Sequence, residues 1–292
     1  MSRAIRNSGS VRRRVGFGSV ASRETEGWRV GGLGPREEDK GEILSGHSKW
    51  ATTKHRKGAQ DQARGKLFAK LIRQIEVAAR AGGGDINANA TLRTMFQKAR
   101  DASVPMDTIE RAIKRGTGEL EGVRYEPVSY EGYAPGGVGV IVECLSDNRN
   151  RTGQEIRTLF NRHGGSMAEP GAVSWQFARK GVIVVCSQAD EDELTGLAVE
   201  AGAEDLSSEE DGWHVICDPA SLSQVREAIE AGGLEVAEAD LQLIATTTVE
   251  VPDERDARKV LELLEALEDH DDVQAVWSNF EISDEILASV AS

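Results

Sequence analysis

The sequence predicts an α+β chain: an N-terminal three-helix domain, then an α+β domain with an inserted ferredoxin-like (βαββαβ) domain. Three observations carry this. Between Gly58 and Gly116 the apolar residues recur with a helical period. Beyond Val123, short apolar runs separated by Gly and Pro turns read as strands. Between residues 181 and 245 the pieces fall in the order strand, helix, strand, strand, helix, strand. A chain of 292 residues is also too long for one ordinary core.

Charge divides the chain in the same places. Residues 44–122 hold 15 Lys+Arg against 8 Asp+Glu, whereas residues 123–292 hold 11 against 35. A net charge of −14 argues against nucleic-acid binding, but a basic block inside an acidic chain can bind phosphate locally. Solvated helix surface beside an acidic domain is the alternative.

Within the basic block, Gly58 to Ala81 reads as the first helix. Leu67, Phe68, Leu71, Ile72, Ile75, Ala78 and Ala79 share one face, while Lys66, Lys70, Arg73 and Arg80 fall within about 40° of one direction opposite it. Gly82-Gly83-Gly84 ends it. A second helix spans about Ala90 to Ala102, with Leu92, Met95, Phe96 and Ala99 inward. After Pro105 a third begins, with Asp107 and Glu110 spaced as a capping box and Gly116 as its stop. Ahead of the first helix, Lys49, Lys54, His55, Arg56 and Lys57 share a segment with Trp50. Cations with one aromatic in an arm suit phosphate contact and base stacking. Trp50 packed beneath the helices is the competing reading. The candidate nucleic-acid-binding set is therefore Lys49, Trp50, Lys54, His55, Arg56, Lys57, Arg64, Lys66, Lys70 and Arg73.

The acidic remainder begins with a hairpin, Val128 to Tyr133 and Val138 to Leu145, joined through Ala134-Pro135-Gly136-Gly137. A helix with Ile156, Leu159 and Phe160 inward follows, carrying Arg149, Arg151, Arg157 and Arg162. These arginines suit either anion binding or pairing with nearby carboxylates. A strand is expected over Val173 to Ala178. The βαββαβ pieces come next, with Asp211-Gly212 as a hairpin turn. Thr246 to Val251, a helix over about Asp256 to Leu267 and Val273 to Phe280 return to complete the sheet begun at Val128. The acids at 190–193, 209–211 and 268–272 read as solvated turns and helix ends.

Several of these segments carry a resemblance. Ser45-Gly-His-Ser-Lys-Trp50, Arg64-Gly-Lys-Leu-Phe-Ala-Lys70, Gly82-Gly-Gly-Asp85, Ser103-Val-Pro105 and Ile109-Glu-Arg-Ala112 resemble the YebC/PmpR family. So do Tyr130-Glu-Gly-Tyr-Ala-Pro135, Asp147-Asn-Arg-Asn-Arg151, Gly164-Gly165 and Pro170-Gly171, the likeness running from Ser45 to about residue 285. The resemblance implies three domains, the third inserted in the second. It also implies a DNA-binding transcriptional regulator, or a translation factor acting on ribosomes stalled at proline-rich sequences, like the mitochondrial translational activators of cytochrome c oxidase. The expected boundaries are 1–44, 45–122, 123–180 with 246–292, and 181–245.

Residues 1–44 have no periodicity and are expected to be a disordered leader from a misassigned start. Leu44 stands where the family places its initiating Met, and TTG, a leucine codon, serves as a bacterial start. Six arginines without an acid in the first 23 residues also fit a transit peptide.

No nucleophile, base and orienting group occur together, so no enzyme activity is predicted. His47 and His55 lack a partner at ligand spacing, and no cofactor or metal is predicted. The expected partner is nucleic acid, either DNA or ribosomal RNA with the ribosome, with no membrane and no small-molecule substrate. Cys144, Cys186 and Cys217 lie far apart and suit reduced thiols in a cytoplasmic protein.

Overall fold

The computed structural model describes residues 60–291 except 187, 210 and 211. The expectations for the leader, the arm from Lys49 to Lys57 and the Asp211 turn residue lie outside the described residues. Three helices come first: α1 (Gln60–Gly82), α2 (Ala90–Asp101) and α3 (Met106–Thr117). Their core is Leu71, Ile75, Ala78 and Ala79 from α1, Leu92 and Ala99 from α2, and Ile109 and Ala112 from α3, with Val104 between the last two. Gly83, with φ +85, lets the chain leave α1. Buried Asn89 then does two jobs. Its Oδ1 accepts the Leu92 amide at 3.0 Å, capping α2, and its Nδ2 donates to Ala78 O and Gly83 O, each at 2.9 Å.

Two expectations about α3 are corrected. Pro105 occupies the N-cap, and its carbonyl accepts from Thr108 and Ile109, so Asp107 falls inside the first turn and pairs with Arg111 instead of capping. Gly116 does not end the helix; Gly118, with φ +85, does. Gly116 is glycine because α1 passes over it. A Cβ there would lie 2.5 Å from Glu76 O and 2.7 Å from Ala79 Cβ.

The first sheet has the order β3-β1-β2-β9 and is antiparallel, built from β1 (Glu126–Tyr133), β2 (Gly139–Ser146), β3 (Ser166–Ala168) and β9 (Val273–Ser278). The helices α4 (Arg149–Arg162) and α7 (Glu254–Glu268) enclose one core with it, centred on Phe160, Leu263, Leu264 and Leu267. Of the late strands expected to complete the sheet begun at β1, β9 does so by pairing with β2, whereas the piece over Thr246 to Val251 does not join it. Short strands β8 (Val249–Glu250) and β10 (Phe280–Glu281) pair in parallel beside it, and α8 (Asp284–Ala291) ends the described chain. β3 and α8 are absent from the sequence reading.

The second sheet has the antiparallel order β5-β6-β4-β7, from β4 (Phe177–Val185), β5 (Ala203–Glu209), β6 (Gly212–Cys217) and β7 (Val236–Ala245). Helices α5 (Glu191–Glu200) and α6 (Leu222–Ala231) share its core through Leu194, Ala198, Val225 and Ile229. The expected strand over Val173 to Ala178 is instead a 3-10 turn, Ser174–Gln176, leading into β4. β4 and β7 stay paired from Phe177↔Ala245 to Val185↔Val236, across the expected junction at 181. Buried Asn279 ties the two sheets. Its Oδ1 accepts from Gly139 N at 2.7 Å, and its Nδ2 donates to Gln176 Oε1 at 2.7 Å and Thr247 O at 2.9 Å. All three thiols are free, and burial pushes that of Cys144 up to about 12.

The close approach at Gly116 makes a test. Gly116→Val is expected to destabilise the helical block by about 1–3 kcal/mol in denaturant unfolding, because rigid backbone meets the added carbons. Gly118→Ala is expected to cost less, since nothing lies within 4 Å of its Cβ position and only its positive φ resists.

Candidate nucleic-acid interface

Lys66, Lys70 and Arg73 sit at i, i+4 and i+7 of α1 and share a face, as the periodicity predicts. That face is only partly open to solvent: the Lys66 side chain stays 44% exposed, whereas that of Arg73 is 19% exposed. It meets the C-terminal end of α7 and the turn after it, where Glu268, Asp269, Asp271 and Asp272 follow one another. Lys66 Nζ lies 3.1 Å from Asp269 Oδ1 and 3.4 Å from Asp269 O. Lys70 Nζ donates to Glu268 O at 2.9 Å. The Arg73 guanidinium donates to Asp271 O, lies 3.5 Å from Asp272 Oδ1 and stacks 5.3 Å from the Tyr125 ring centroid.

The chemistry of helix ends explains the match. The last carbonyls of a helix lack intrahelical donors and carry the negative end of its dipole. α7 has no basic residue in its last turn, and Lys66 and Lys70 meet the carbonyls at its end from another element, while Arg73 holds the turn beyond it. The acids at 268–272 are therefore a docking site and not merely solvated surface, and the expectation of an open stripe at Lys66, Lys70 and Arg73 is corrected. A second contact of the same sense joins Lys98 of α2 to Asp240 and Glu238 of β7.

Asp272 is the hub. Its side chain is 6 % exposed and accepts from Thr152 Oγ1 and Arg151 Nη2, both at 2.7 Å. Thr152 in turn meets Ser146 Oγ at 2.7 Å, and the Asp272 carbonyl accepts from Leu145 N at 2.8 Å. Burial works to raise the Asp272 carboxyl, but Thr152, Arg151 and Arg73 together hold it below the usual carboxylate value. The same hydrogen bond pushes Arg151 further up.

Around this hub lies an open cleft of about 970 Å³, lined by Lys66, Arg73, Tyr125, Arg151, Glu155 and His270 among others. Ligand atoms of Glu155, His270 and Asp272 come within 4.8 Å of one another, a grouping missed in the sequence because its members are distant. Its hydrogen bonds oppose a metal. His270 Nδ1 accepts the Asp272 amide at 3.1 Å, so Nε2 carries the proton and points at Glu155 Oε2, 3.0 Å away. A metal at Nε2 needs that proton gone, and Arg151 already sits among the carboxylates.

Of the other predicted site residues, Arg64 is exposed near the start of α1 and forms no ion pair among the described residues. Lys49, Trp50, Lys54, His55, Arg56 and Lys57 lie outside the described residues. The structure adds cations that the sequence reading did not select. Lys114 is exposed, Arg100 touches only Met106 Sδ at 3.9 Å, and Arg93 donates to the carbonyls of Ile86 and Asn87. None of these has a carboxylate partner among the described residues. The signal available was their outward position on α2 and α3.

Docking depends on the Asp272 charge, and the sign of its pH dependence follows. A carboxyl depressed in the folded state contributes stability above its ordinary value, near 4, and loses it as pH falls through the folded value. Acidification below about pH 4 is thus expected to release the helical block before the sheets unfold, seen as early hydrogen exchange in α1. Asp272→Asn is expected to cost about 1–3 kcal/mol at neutral pH and to flatten that acid transition.

Comparison with known proteins places the chain. Residues 48–119 match the model of the TACO1/YebC protein N-terminal domain, and residues 125–280 match the TACO1/YebC second and third domain. A protein of Acidothermus cellulolyticus named probable transcriptional regulatory protein is 53% identical over 249 residues, covering 85% of this chain and 100% of its own. One of the same name from Thermotoga maritima is 54% identical over 251 residues, covering 85% of this chain and 98% of its own. The crystal structure of a conserved hypothetical protein from Aquifex aeolicus superposes with a TM-score of 0.76 at 48% identity, covering 82% of this chain and 99% of that one. With both family models matched in order across a cationic helical block docked on acidic sheets, the chain belongs to the TACO1/YebC family.

Proposed function

We propose that the chain is a non-enzymatic, nucleic-acid-binding regulator of gene expression. It grips phosphates with the helical block while its acidic part, including a ferredoxin-like insertion at 181–245, organises that block. The observation that carries this is the surplus of cations left after docking: Arg64, Arg93, Arg100 and Lys114 keep their charge unpaired by carboxylates among the described residues. The arm from Lys49 to Lys57 adds four cations and Trp50 at the same end of the block's sequence. The names of the relatives support a regulator of transcription, hence DNA as the first target.

Binding by shape and phosphate fits better than reading of base edges. Arg93 is folded back on backbone carbonyls and Arg111 is tied to Asp107, so neither helix offers a row of free polar readers. The same geometry suits ribosomal RNA, where shape and backbone contacts suffice, and a role in translating stalling sequences is the second reading. Among the described residues no helix is long and apolar enough to cross a membrane.

Reversing Arg64, Arg100 and Lys114 together to Glu is expected to weaken binding of a DNA duplex or a structured RNA at least about ten-fold, with only a small fall in melting temperature from the acids placed in the last turns of α2 and α3. These side chains are exposed, so stability has little to lose. Equal affinity of the variant and the natural chain for both nucleic acids contradicts the proposal. Sucrose-gradient sedimentation of cell extract separates the targets: ribosome-free protein bound tightly to a promoter supports DNA, and cosedimentation with ribosomal subunits supports RNA.

A further inference from the structure

Residues 123–292 carry an acid at about one position in five, 35 in all, and the three longest stretches without one are 132–142, 156–168 and 170–189. The fold gathers the turns of all three stretches on one end of the first sheet. The β1–β2 turn, Pro135–Gly137, lies against the α4–β3 turn: a Cβ on Gly164 would sit 3.7 Å from Pro135 Cγ, and one on Gly165 2.6 Å from Tyr133 O. Tyr133 Oη then donates to Ala172 O at 2.9 Å in the loop before β4, and Val173 of that loop packs on Gly139. Gly136, Gly137, Gly164 and Gly171 all have positive φ, and nothing lies within 4 Å of a Cβ position at Gly137 or Gly171, so these two present backbone with no side chain over it.

At the edge of this face stands Trp175, 69% exposed. The loop beneath it is held more firmly than an exposed loop requires. The Glu131 carboxylate accepts from the amides of Gly171, Val173 and Ser174 at 2.8, 2.6 and 2.9 Å. The neighbouring side chains of Val173 and Gln176 are buried. Trp175 Nε1 donates to Ala172 O at 3.0 Å, so its one polar atom is spent within the loop. What the indole offers outward is its π face. Arg162, exposed in the last turn of α4 and without an ion pair among the described residues, leads directly into the glycine turn. The nearest acids are committed: Glu131 to the loop amides, and Glu262 and Asp256 of α7 to His163 and Lys259. Glu169 remains at the border.

We propose that this acid-free face is a second nucleic-acid contact, in which Trp175 stacks on an unpaired base and Arg162 meets an adjacent phosphate. The inference rests on the nucleic-acid reading above and deepens it by assigning single-stranded or looped segments to the sheet side of the molecule. A π face with no free donor is sequence-tolerant, because every base can stack on it. Bare glycine turns let a sugar-phosphate chain approach the backbone, and the missing carboxylates remove the repulsion that excludes it from the rest of the acidic surface.

The test uses the full chain with a short single-stranded RNA oligonucleotide and, separately, a duplex. Trp175→Ala is expected to weaken single-strand binding by about 5- to 100-fold and to leave duplex binding unchanged, with Trp175→Phe close to the natural chain. Both variants are expected to melt normally because the side chain is exposed. Unchanged single-strand affinity in Trp175→Ala, alongside lost affinity in the Arg64, Arg100 and Lys114 reversal, overturns this inference and leaves the nucleic-acid reading standing. Absence of any nucleic-acid binding by the natural chain overturns both. A photocrosslinker placed at Ser174 is expected to label nucleic acid in cells, and labelling of protein chains alone makes the face a protein interface and overturns the proposal.

Discussion

The structure depends on the way α1 finishes α7. A helix end leaves carbonyls in need of donors, and here Lys66 and Lys70 of a different helix supply them, with Arg73 one turn on donating to the Asp271 carbonyl in the turn beyond. Because Lys66, Lys70 and Arg73 lie opposite the apolar face of α1, the residues that fold the helical block and those that dock it are separate sets. Asp272 then links that contact to α4 and β2 through Arg151, Thr152 and Leu145. One buried carboxylate thus joins the helical block to the first sheet and the helix after β2.

This arrangement changes what the basic block is for. Its charge is divided between cations that meet carboxylates and carbonyls of the acidic part, and Arg64, Arg100 and Lys114, which are exposed on α1, α2 and α3 and meet no carboxylate among the described residues. The described ion pairs between the block and the rest of the chain all place the cation on the helical side. The acidic part thereby engages the cations it can reach, and under the proposed function the smaller set that remains is what meets phosphate. Screening by salt acts on both shares, more strongly on the exposed one.

Much of this was legible in the sequence, for identifiable reasons. Helix spans depend on local periodicity, so α1 and α2 lie within a residue or two of expectation, and the apolar face of α1 is where the pattern puts it except at Leu67, which is exposed. The late apolar run at Val273 to Phe280 predicts a return to the first sheet, and β9 makes it, while the run at Thr246 to Val251 pairs elsewhere. What failed was long-range. Periodicity says which residues share a face but not what that face meets, so the stripe seemed open and the acids at 268–272 seemed solvated. β4 runs unbroken from Phe177 through Val185 because its partner β7 is as long, a fact no local signal at 181 carries. Gly116 looked like a stop because close helix packing and helix ending both favour glycine. Of the exposed cations without a carboxylate partner among the described residues, the sequence reading selects Arg64 but not Arg100 or Lys114, since an exposed cation on an amphipathic helix has no distinguishing neighbour in the sequence.

The central claim is that Lys66, Lys70 and Arg73 serve docking and other cations serve nucleic acid. The most direct measurement is the salt dependence of nucleic-acid binding by the natural chain and by a chain with Gln at these three positions. Each phosphate contact contributes about 0.9 to the slope of log affinity against log salt on duplex DNA. If the three cations are committed inward, the two slopes agree to within about one. A slope shallower by about three in the variant would place these side chains on phosphates and contradict the account.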